Sequence, residues 1–348
     1  MASVRRQSTI LVSGFLRRRA RAVNRSRCRS RAPGLAHSFL VAYIERLRQS
    51  ALAMPQAKPK PAIVIRDLES IEDLKKVETL EQEVWGIADR DVLPLTMAVA
   101  TKAAGSIWVG AFDGAQLVGF VFGFLGMEEG RLMVHSHMLA VRDPYRHLDL
   151  GYKLKLAQRE RALAMRIPLM TWTFDPLQSR NAHLNFSKLG VISNCYKVDF
   201  YGPETSSVLH RNSTDRLWVQ WPMASRRVQQ RLQGHDPRSE VMDALSRLVP
   251  LIRFNGDGKP VRTDLSAALA RQRIAIEIPS DIGSIETKDP DLAKEWRHST
   301  RWAFQEALRA GFFVAEFCRT VRGQQGPSAY VLERGPVTEC VPELGSAS

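Results

Sequence analysis

From Ala62 onward the chain reads as an α/β protein, a mixed sheet with helices on its faces. Three observations carry that reading. Short β-rich runs alternate with segments of helical period between residues 62 and 221. An Asp-Gly pair at Asp113-Gly114 joins two of the runs as a hairpin. The resulting order, β-α-(α)-β-β-β-α-β-α-β-β, interleaves strands and helices as layered α/β folds do.

The elements follow one another at short spacing. Ala62 to Arg66 is a strand, and Leu68 to Trp85 a helix with Leu68, Ile71, Leu74, Val77 and Leu80 in register. Ile107 to Phe112 and Gln116 to Leu125 are the hairpin strands, and Leu132 to Val141 is a further strand that Pro144 ends. Leu150 to Met165 is an amphipathic helix: Leu150, Leu154, Ala157, Ala162 and Met165 form its apolar face, and Lys153, Lys155, Arg159 and Glu160 are assigned to water. Leu169 to Phe174 is a strand, and Asn181 to Leu189 a short helix ended by Gly190. Cys195 to Tyr201 and Arg216 to Trp221 are strands.

Beyond residue 224 the pattern is weaker. Arg226 to Pro250 holds a basic helical stretch, Gly256 to Pro260 a loop, and Ala275 to Pro279 a strand. Asp291 to Ala310 is a helix, and Phe312 to Phe317 and Ala329 to Leu332 are strands. The passage from Trp296 to Phe317 echoes that from Lys153 to Phe174, an echo two unrelated helix-strand units can also produce. The expected organisation is a leader and Pro linker over 1–61, an α/β domain over 62–224, an α+β extension over 225–335 and a disordered tail over 336–348.

Charge is unevenly distributed. The 348 residues carry a formal net charge of +14, but residues 1–53, with twelve arginines and one acid (Glu45), account for +11 of it. The remaining +3 leaves the body close to neutral, so a nucleic-acid partner is not expected of it. The leader reads as a transit peptide, as upstream sequence before a start at Met54, or as a basic tail; each reading leaves it disordered and outside the fold. The apolar run Ile10 to Leu16 is too short for a signal peptide and meets Arg17-Arg18-Arg19 at once. No run approaches the length of a membrane span, and Cys28, Cys195, Cys318 and Cys340 form no C-x-x-C pair. A cytoplasmic protein without a membrane partner or a metal site is the expectation.

The chemistry concentrates between His135 and Gly202. Val141 to Gly151 (VRDPYRHLDLG) joins a strand to a helix, and such a turn directs backbone N–H groups and a helix N-terminus at an anion. Arg142 and Arg146 add positive charge there. His135 and His137 share one face of a strand just before the turn, and histidine titrates near neutrality. Packing and hydrogen bonding alone would also account for the pair. Asp175, at the end of its strand, can hold an ammonium or cap the next turn. Glu128 and Glu129 read as solvated loop residues.

The run VRDPYRHLDLGYKL resembles motif A of the GNAT N-acyltransferases, whose core is (Arg/Gln)-x-x-Gly-x-(Gly/Ala). DPLQSRNAHLNFSKLGV, Asp175 to Val191, resembles the family's Asn-x-x-Ala helix ending in Lys-Leu-Gly-Phe. HSHMLAV, LKLAQRERAL, TWTFDPLQSRNA and FYG resemble the branch often encoded beside N-succinylamino-acid racemases or o-succinylbenzoate synthases. The resemblance covers about 160 residues and implies a GNAT-like mixed sheet with helices on both faces. It implies acyl transfer from acetyl-CoA or succinyl-CoA to the amine of a small molecule, an amino acid in particular.

Carried over, Arg146, His147, Leu148, Asp149, Leu150 and Gly151 would hold the CoA pyrophosphate. Met138, Leu139, Ala140 and Val141 would pair with pantetheine and splay from the Leu169–Phe174 strand, a backbone N–H of theirs serving as oxyanion donor. Asn181 and Asn185 would bond pantetheine or orient the acyl group. His137, then His135, would be the base, with Asp175 holding the substrate ammonium. Arg180 would meet a substrate carboxylate, and Arg216, Arg297 and Arg301 are further candidates. Two positions depart from the family pattern. Asp149 stands at the first motif glycine, its carboxylate free to turn outward and cap the next helix. Phe186 stands where many members carry a tyrosine that protonates the thiolate, which passes that role to Tyr196, Tyr201 or a water. These departures keep open a protein that binds acyl-CoA as a sensor or scaffold without turnover. The extension could complete the acceptor pocket or form a homodimer contact.

Overall fold

The computed structural model describes residues 61–87, 91–202, 212–235, 238–245, 247–321 and 326–337. The leader, Met54, most of the linker and nearly all of the tail lie outside these residues, as do Cys28 and Cys340. Among the described residues, twelve strands form one sheet in the order β1-β2-β3-β4-β5-β7-β6-β11-β12-β10-β8-β9. The mixed α/β class is the one expected.

The first seven strands are β1 (Ile63–Asp67), β2 (Ile107–Asp113), β3 (Gln116–Glu128), β4 (Arg131–Val141), β5 (Leu169–Phe174), β6 (Ile192–Lys197) and β7 (Arg216–Pro222). Neighbours β1 to β4 are antiparallel, β5 lies parallel to β4, and β7 runs antiparallel between β5 and β6. Helix α1 (Ile71–Trp85) is capped by Ser70, whose side chain accepts from the Asp73 N–H. That cap moves the start from the expected Leu68 to Ile71 and leaves the Ile71 side chain exposed. Helix α2 (Leu95–Ala103) follows, and its Ala98 joins Leu74, Val77 and Leu80 against Trp108, Phe120 and Phe122 on one sheet face.

Helix α3 (Leu150–Ala164) buries Leu150, Leu154, Ala157 and Ala162 against Val109, Val121 and Val134 on the other face. Period-2 alternation along β2 to β4 therefore serves two cores, with helices on both faces. Two assignments on α3 are corrected. Lys155 is buried rather than solvated, because the covered arc of the helix extends to Lys155 and Gln158, and Met165 is exposed. Helix α4 (Ser179–Ala182) continues as a π-helical segment, His183–Leu189, which Gly190 ends at φ 74°. The strand expected over Cys195 to Tyr201 is instead Ile192–Lys197; Asp199, at φ 43°, turns the chain away.

Residues 225–335 extend the same sheet. They contain α5 (Arg226–Leu232), α6 (Arg238–Leu245), β8 (Pro250–Phe254), β9 (Pro260–Arg262), α7 (Leu265–Leu269), β10 (Arg273–Ile278), α8 (Ile282–Lys288), α9 (Pro290–Arg309), β11 (Phe312–Cys318) and β12 (Ser328–Arg334). Pairing of Val314 with Ser193 joins β11 to β6. The echo between Lys153–Phe174 and Trp296–Phe317 is local. β5 pairs directly with β4, whereas β12 lies between β10 and β11.

Candidate active site

The parallel pairing of β4 and β5 is confined to Val134↔Met170 and His135↔Thr171. Beyond those pairs the strands part, although β4 continues to Val141 and β5 to Phe174. The sheet is split at its centre, as the motif reading expected. At the same place the β3–β4 register shifts: Phe122 faces Met138 and Gly123 faces Ser136, so His137 is an extra residue on β4. Such a bulge leaves backbone groups out of the ladder and turns adjacent side chains to one side. His137 and Met138 indeed both meet the face that carries Phe122. Gly123 is needed opposite the bulge, since a Cβ there would lie 2.6 Å from Gln158 Nε2 and 3.0 Å from the His135 carbonyl.

His135 and His137 lie on one face with their rings 6.2 Å apart. His137 is exposed, and desolvation by the protein packed around it holds its pKa below the ordinary value. His135 is buried, stacked on Trp218 at 5.0 Å, with Nδ1 3.0 Å from Thr171 Oγ1. Burial first, then the charges of His137 and Lys155, lower its pKa to about 4. It is a neutral imidazole at pH 7. Phe124, Trp218, Phe200 and Tyr201 continue this face as a chain of touching rings. Tyr201 is 41 % exposed, with its hydroxyl 3.4 Å from Thr173 Oγ1 on β5.

At the far end of β4, a 3-10 turn over Asp143–Leu148 leads into α3. Asp149 adopts the left-handed region at φ 58°, which explains why glycine suits this position. The expectation that its carboxylate caps α3 is not met: it accepts instead from Lys188 Nζ at 2.8 and 3.0 Å. The first N–H groups of α3 therefore receive no side-chain cap from Asp149. Arg146 and His147 are exposed, Leu148 and Gly151 half-buried, and Leu150 buried. Arg142 is engaged with the Leu117 carbonyl and with Glu83, and Arg146 with Asp143. Along β4, Met138 and Leu139 are half-buried, and Ala140 and Val141 are buried. Asn185, on the π-helical segment, is buried with Oδ1 accepting from Trp172 Nε1 at 3.3 Å, whereas Arg180 and Asn181 are exposed.

Other candidates sit apart from the split. Asp175 is held by both terminal nitrogens of Arg297, at 2.7 and 2.9 Å, and its Oδ1 also accepts from the Leu177 N–H. Tyr196 donates to Asp215 at 2.7 Å, and burial together with that carboxylate raises its pKa well above the ordinary value. Arg301 is bound to Asp215 and Asp199. Arg216 is buried, its guanidinium 5.2 Å from the Tyr201 ring centroid. Glu128 ends β3 instead of lying in a loop, and its Oε1 accepts from Trp218 Nε1 at 2.9 Å. Phe186 is fully buried between Phe174 and Tyr330.

Sequence reasoning missed Ser136, Thr171, Gln158, Trp218 and the burial of Lys155. Polar residues at positions 136, 155 and 158, amid apolar runs on elements that pack together, were the available signal. Among the described residues no helix is long and apolar enough to cross a membrane.

No family model and no curated protein matches this chain. Among solved structures it is similar to the ribosomal-protein-S18-alanine N-acetyltransferase from Escherichia coli, at 14 % identity over 46 % of this chain and 93 % of that one, TM-score 0.38. It is likewise similar to the NatC complex bound to Gag peptide and CoA, at 15 % identity over 46 % and 98 %, TM-score 0.37. A third similarity is to an acetyltransferase of the GNAT family from Streptococcus pneumoniae, at 16 % identity over 45 % and 98 %, TM-score 0.37.

Proposed function

We propose that the split between β4 and β5 takes an acyl-CoA thioester and that the protein is an N-acyltransferase of GNAT type. One observation carries the reading: the two strands pair over two residue pairs only, beside a bulge at His137 and in line with the Asp143–Leu150 turn. The turn and the α3 amides would take the pyrophosphate. The thioester would lie in the split, its carbonyl directed at a backbone N–H freed by the bulge.

His137 is the favoured base. It is exposed at the cleft, and its lowered pKa keeps it unprotonated near neutrality. It takes the proton of the acceptor ammonium, the neutral nitrogen attacks the thioester carbon, and the thiol departs. Orientation supplies most of the acceleration. Asp175, Arg297 and Arg301 are engaged with one another or with neighbouring aspartates, so exposed Arg180 is the cation considered for an acceptor carboxylate. The aromatic face from Phe124 to Tyr201 suits an amino acid with an apolar side chain. The acyl group would be acetyl or succinyl.

Purified protein incubated with acetyl-CoA or succinyl-CoA and a panel of amino acids should release free thiol. A second reading, an acyl-CoA sensor without turnover, is favoured by Phe186, which offers no proton from its buried place. CoA binding without thiol release, unaffected by His137→Ala, would establish the sensor.

A further inference from the structure

Lys155 lies in the crotch of the split. Its side chain leaves α3 beneath the sheet and is 4 % exposed. Nζ donates to Ser136 Oγ at 2.7 Å and lies 3.6 Å from the centroid of the Trp172 ring. Ser136 and Trp172 are the first residues of β4 and β5 past the last paired position, His135↔Thr171. The amine therefore touches both arms where they part. Among the described residues no carboxylate pairs with it, and Ser136 donates onward to Gln158 Oε1 at 2.7 Å. A buried lysine without a counter-ion is costly, whether its ammonium is desolvated or its proton is given up. Packing alone does not call for an amine at this place.

We infer that Lys155 is the proton donor to the sulfur that leaves the thioester. The inference rests on the N-acyltransferase reading and deepens it. In the proposed pose the acceptor lies on the histidine face and the sulfur would sit where the strands part, next to Ser136 and Trp172, within reach of Lys155. Two tyrosines on the α3 side are committed: Tyr196 donates to Asp215, and Tyr330 donates to the Pro176 carbonyl. Tyr201 stands by Thr173 on the histidine face, and Phe186 has no proton to give. Burial also pushes the Lys155 pKa well below its ordinary value, which makes its ammonium a stronger acid than that of an exposed lysine.

The step balances as follows. The neutral acceptor nitrogen forms the C–N bond and the carbonyl π pair moves to oxygen. That pair returns, the C–S bond breaks, and the sulfur keeps its electrons and takes a proton from Lys155 Nζ. His137, which has passed the ammonium proton to solvent before the attack, takes the surplus proton of the nitrogen. Lys155, left as a neutral amine, regains a proton from solvent after the thiol departs. Among surrounding groups, His135 on β4 is ionisable and its own titration responds to Lys155. Gln158 on α3, Thr171 and Trp172 on β5, and Asn185 on the π-helical segment do not titrate in this range.

The pH dependence of kcat tests the inference. The unaltered protein should show an acid limb from His137 and a basic limb from Lys155, since the acid must be protonated to act. Lys155→Met should lower kcat about 100-fold, lose the basic limb and leave the KM for acyl-CoA little changed. Its deficit should shrink on a thioester of an acidic aryl thiol, whose sulfur leaves without a proton. Ser136→Ala should keep the limb but move it to lower pH, because the hydroxyl that stabilises the ammonium is gone. A basic limb that persists in Lys155→Met, or an equal loss on both thioesters, overturns the inference. Should Lys155→Met fail to fold, an unmoved limb in Ser136→Ala overturns it. Absence of turnover in the unaltered protein removes the acyltransferase reading as well, whereas turnover that ignores Lys155 removes this inference alone.

Discussion

Arg297 grips Asp175 with both terminal nitrogens, at 2.7 and 2.9 Å, across 122 residues of chain. The pair is almost entirely buried, and Arg297 Nε donates in addition to the Asn212 carbonyl at 2.8 Å. It fixes α9 to the end of β5, just beyond the split. Burial opposes both charges, but their mutual attraction and hydrogen bonds win, so the Asp175 pKa is lowered and that of Arg297 raised. Removing one partner strands the other. Arg297→Met should cost about 3–5 kcal/mol in denaturant unfolding, and adding Asp175→Asn should recover part of that loss.

Asp149→Gly tests the proposal that the turn before α3 holds a pyrophosphate. Glycine relieves the left-handed backbone, while the lost Lys188 pair is exposed and worth at most about 1 kcal/mol, so stability should change little. One negative charge beside the pyrophosphate disappears. CoA should bind more tightly by about 1 kcal/mol in calorimetry, and the gain should shrink at high salt. Unchanged or weaker binding would argue against a pyrophosphate at this turn.

Glu81 gives a pH signature of the fold. Its carboxyl is fully buried on α1, Oε2 accepts from the Leu93 N–H at 3.0 Å, and desolvation raises its pKa from 4.5 to about 7. A raised carboxyl pKa means that the folded state prefers the protonated form. Its stabilising contribution is full below about pH 4.5 and is lost as pH rises through about 7. Glu81→Gln stays neutral throughout. Relative to the unaltered protein it should gain about 3 kcal/mol between pH 4 and pH 8, measured as the difference in unfolding free energy. A gap independent of pH would contradict the raised pKa.

His137→Ala separates catalysis from binding. It should cut thiol release about 100-fold at pH 7 and leave CoA affinity unchanged, because the ring lies at the bulge and not at the turn. A parallel loss of CoA binding would show that His137 acts through structure.

The strands from β1 to β5 were legible because short apolar runs between Gly, Pro and Asp leave few alternatives, and the Asp113-Gly114 turn joins two of them as a hairpin. The short strands β8 and β9 were not, since at five and three residues they carry too little pattern. The two histidines on one strand face and the turn ahead of α3 could be found from spacing. Lys155 could not. Helical period assigned it to water, and its burial follows from a sheet strand and a split that only tertiary contacts reveal. Arg297 was one surface arginine among many until α9 was seen against β5. A bulge is likewise invisible in sequence, yet it is what brings His137 and Met138 to one side.

The central claim is acyl transfer at the split. The most direct measurement is mass spectrometry of the products formed from acetyl-CoA or succinyl-CoA and an amino-acid pool, with thiol release followed in parallel. The account predicts an N-acyl amino acid formed in step with free CoA, both lost with His137→Ala. No acylated product, together with no CoA binding by calorimetry, would contradict it.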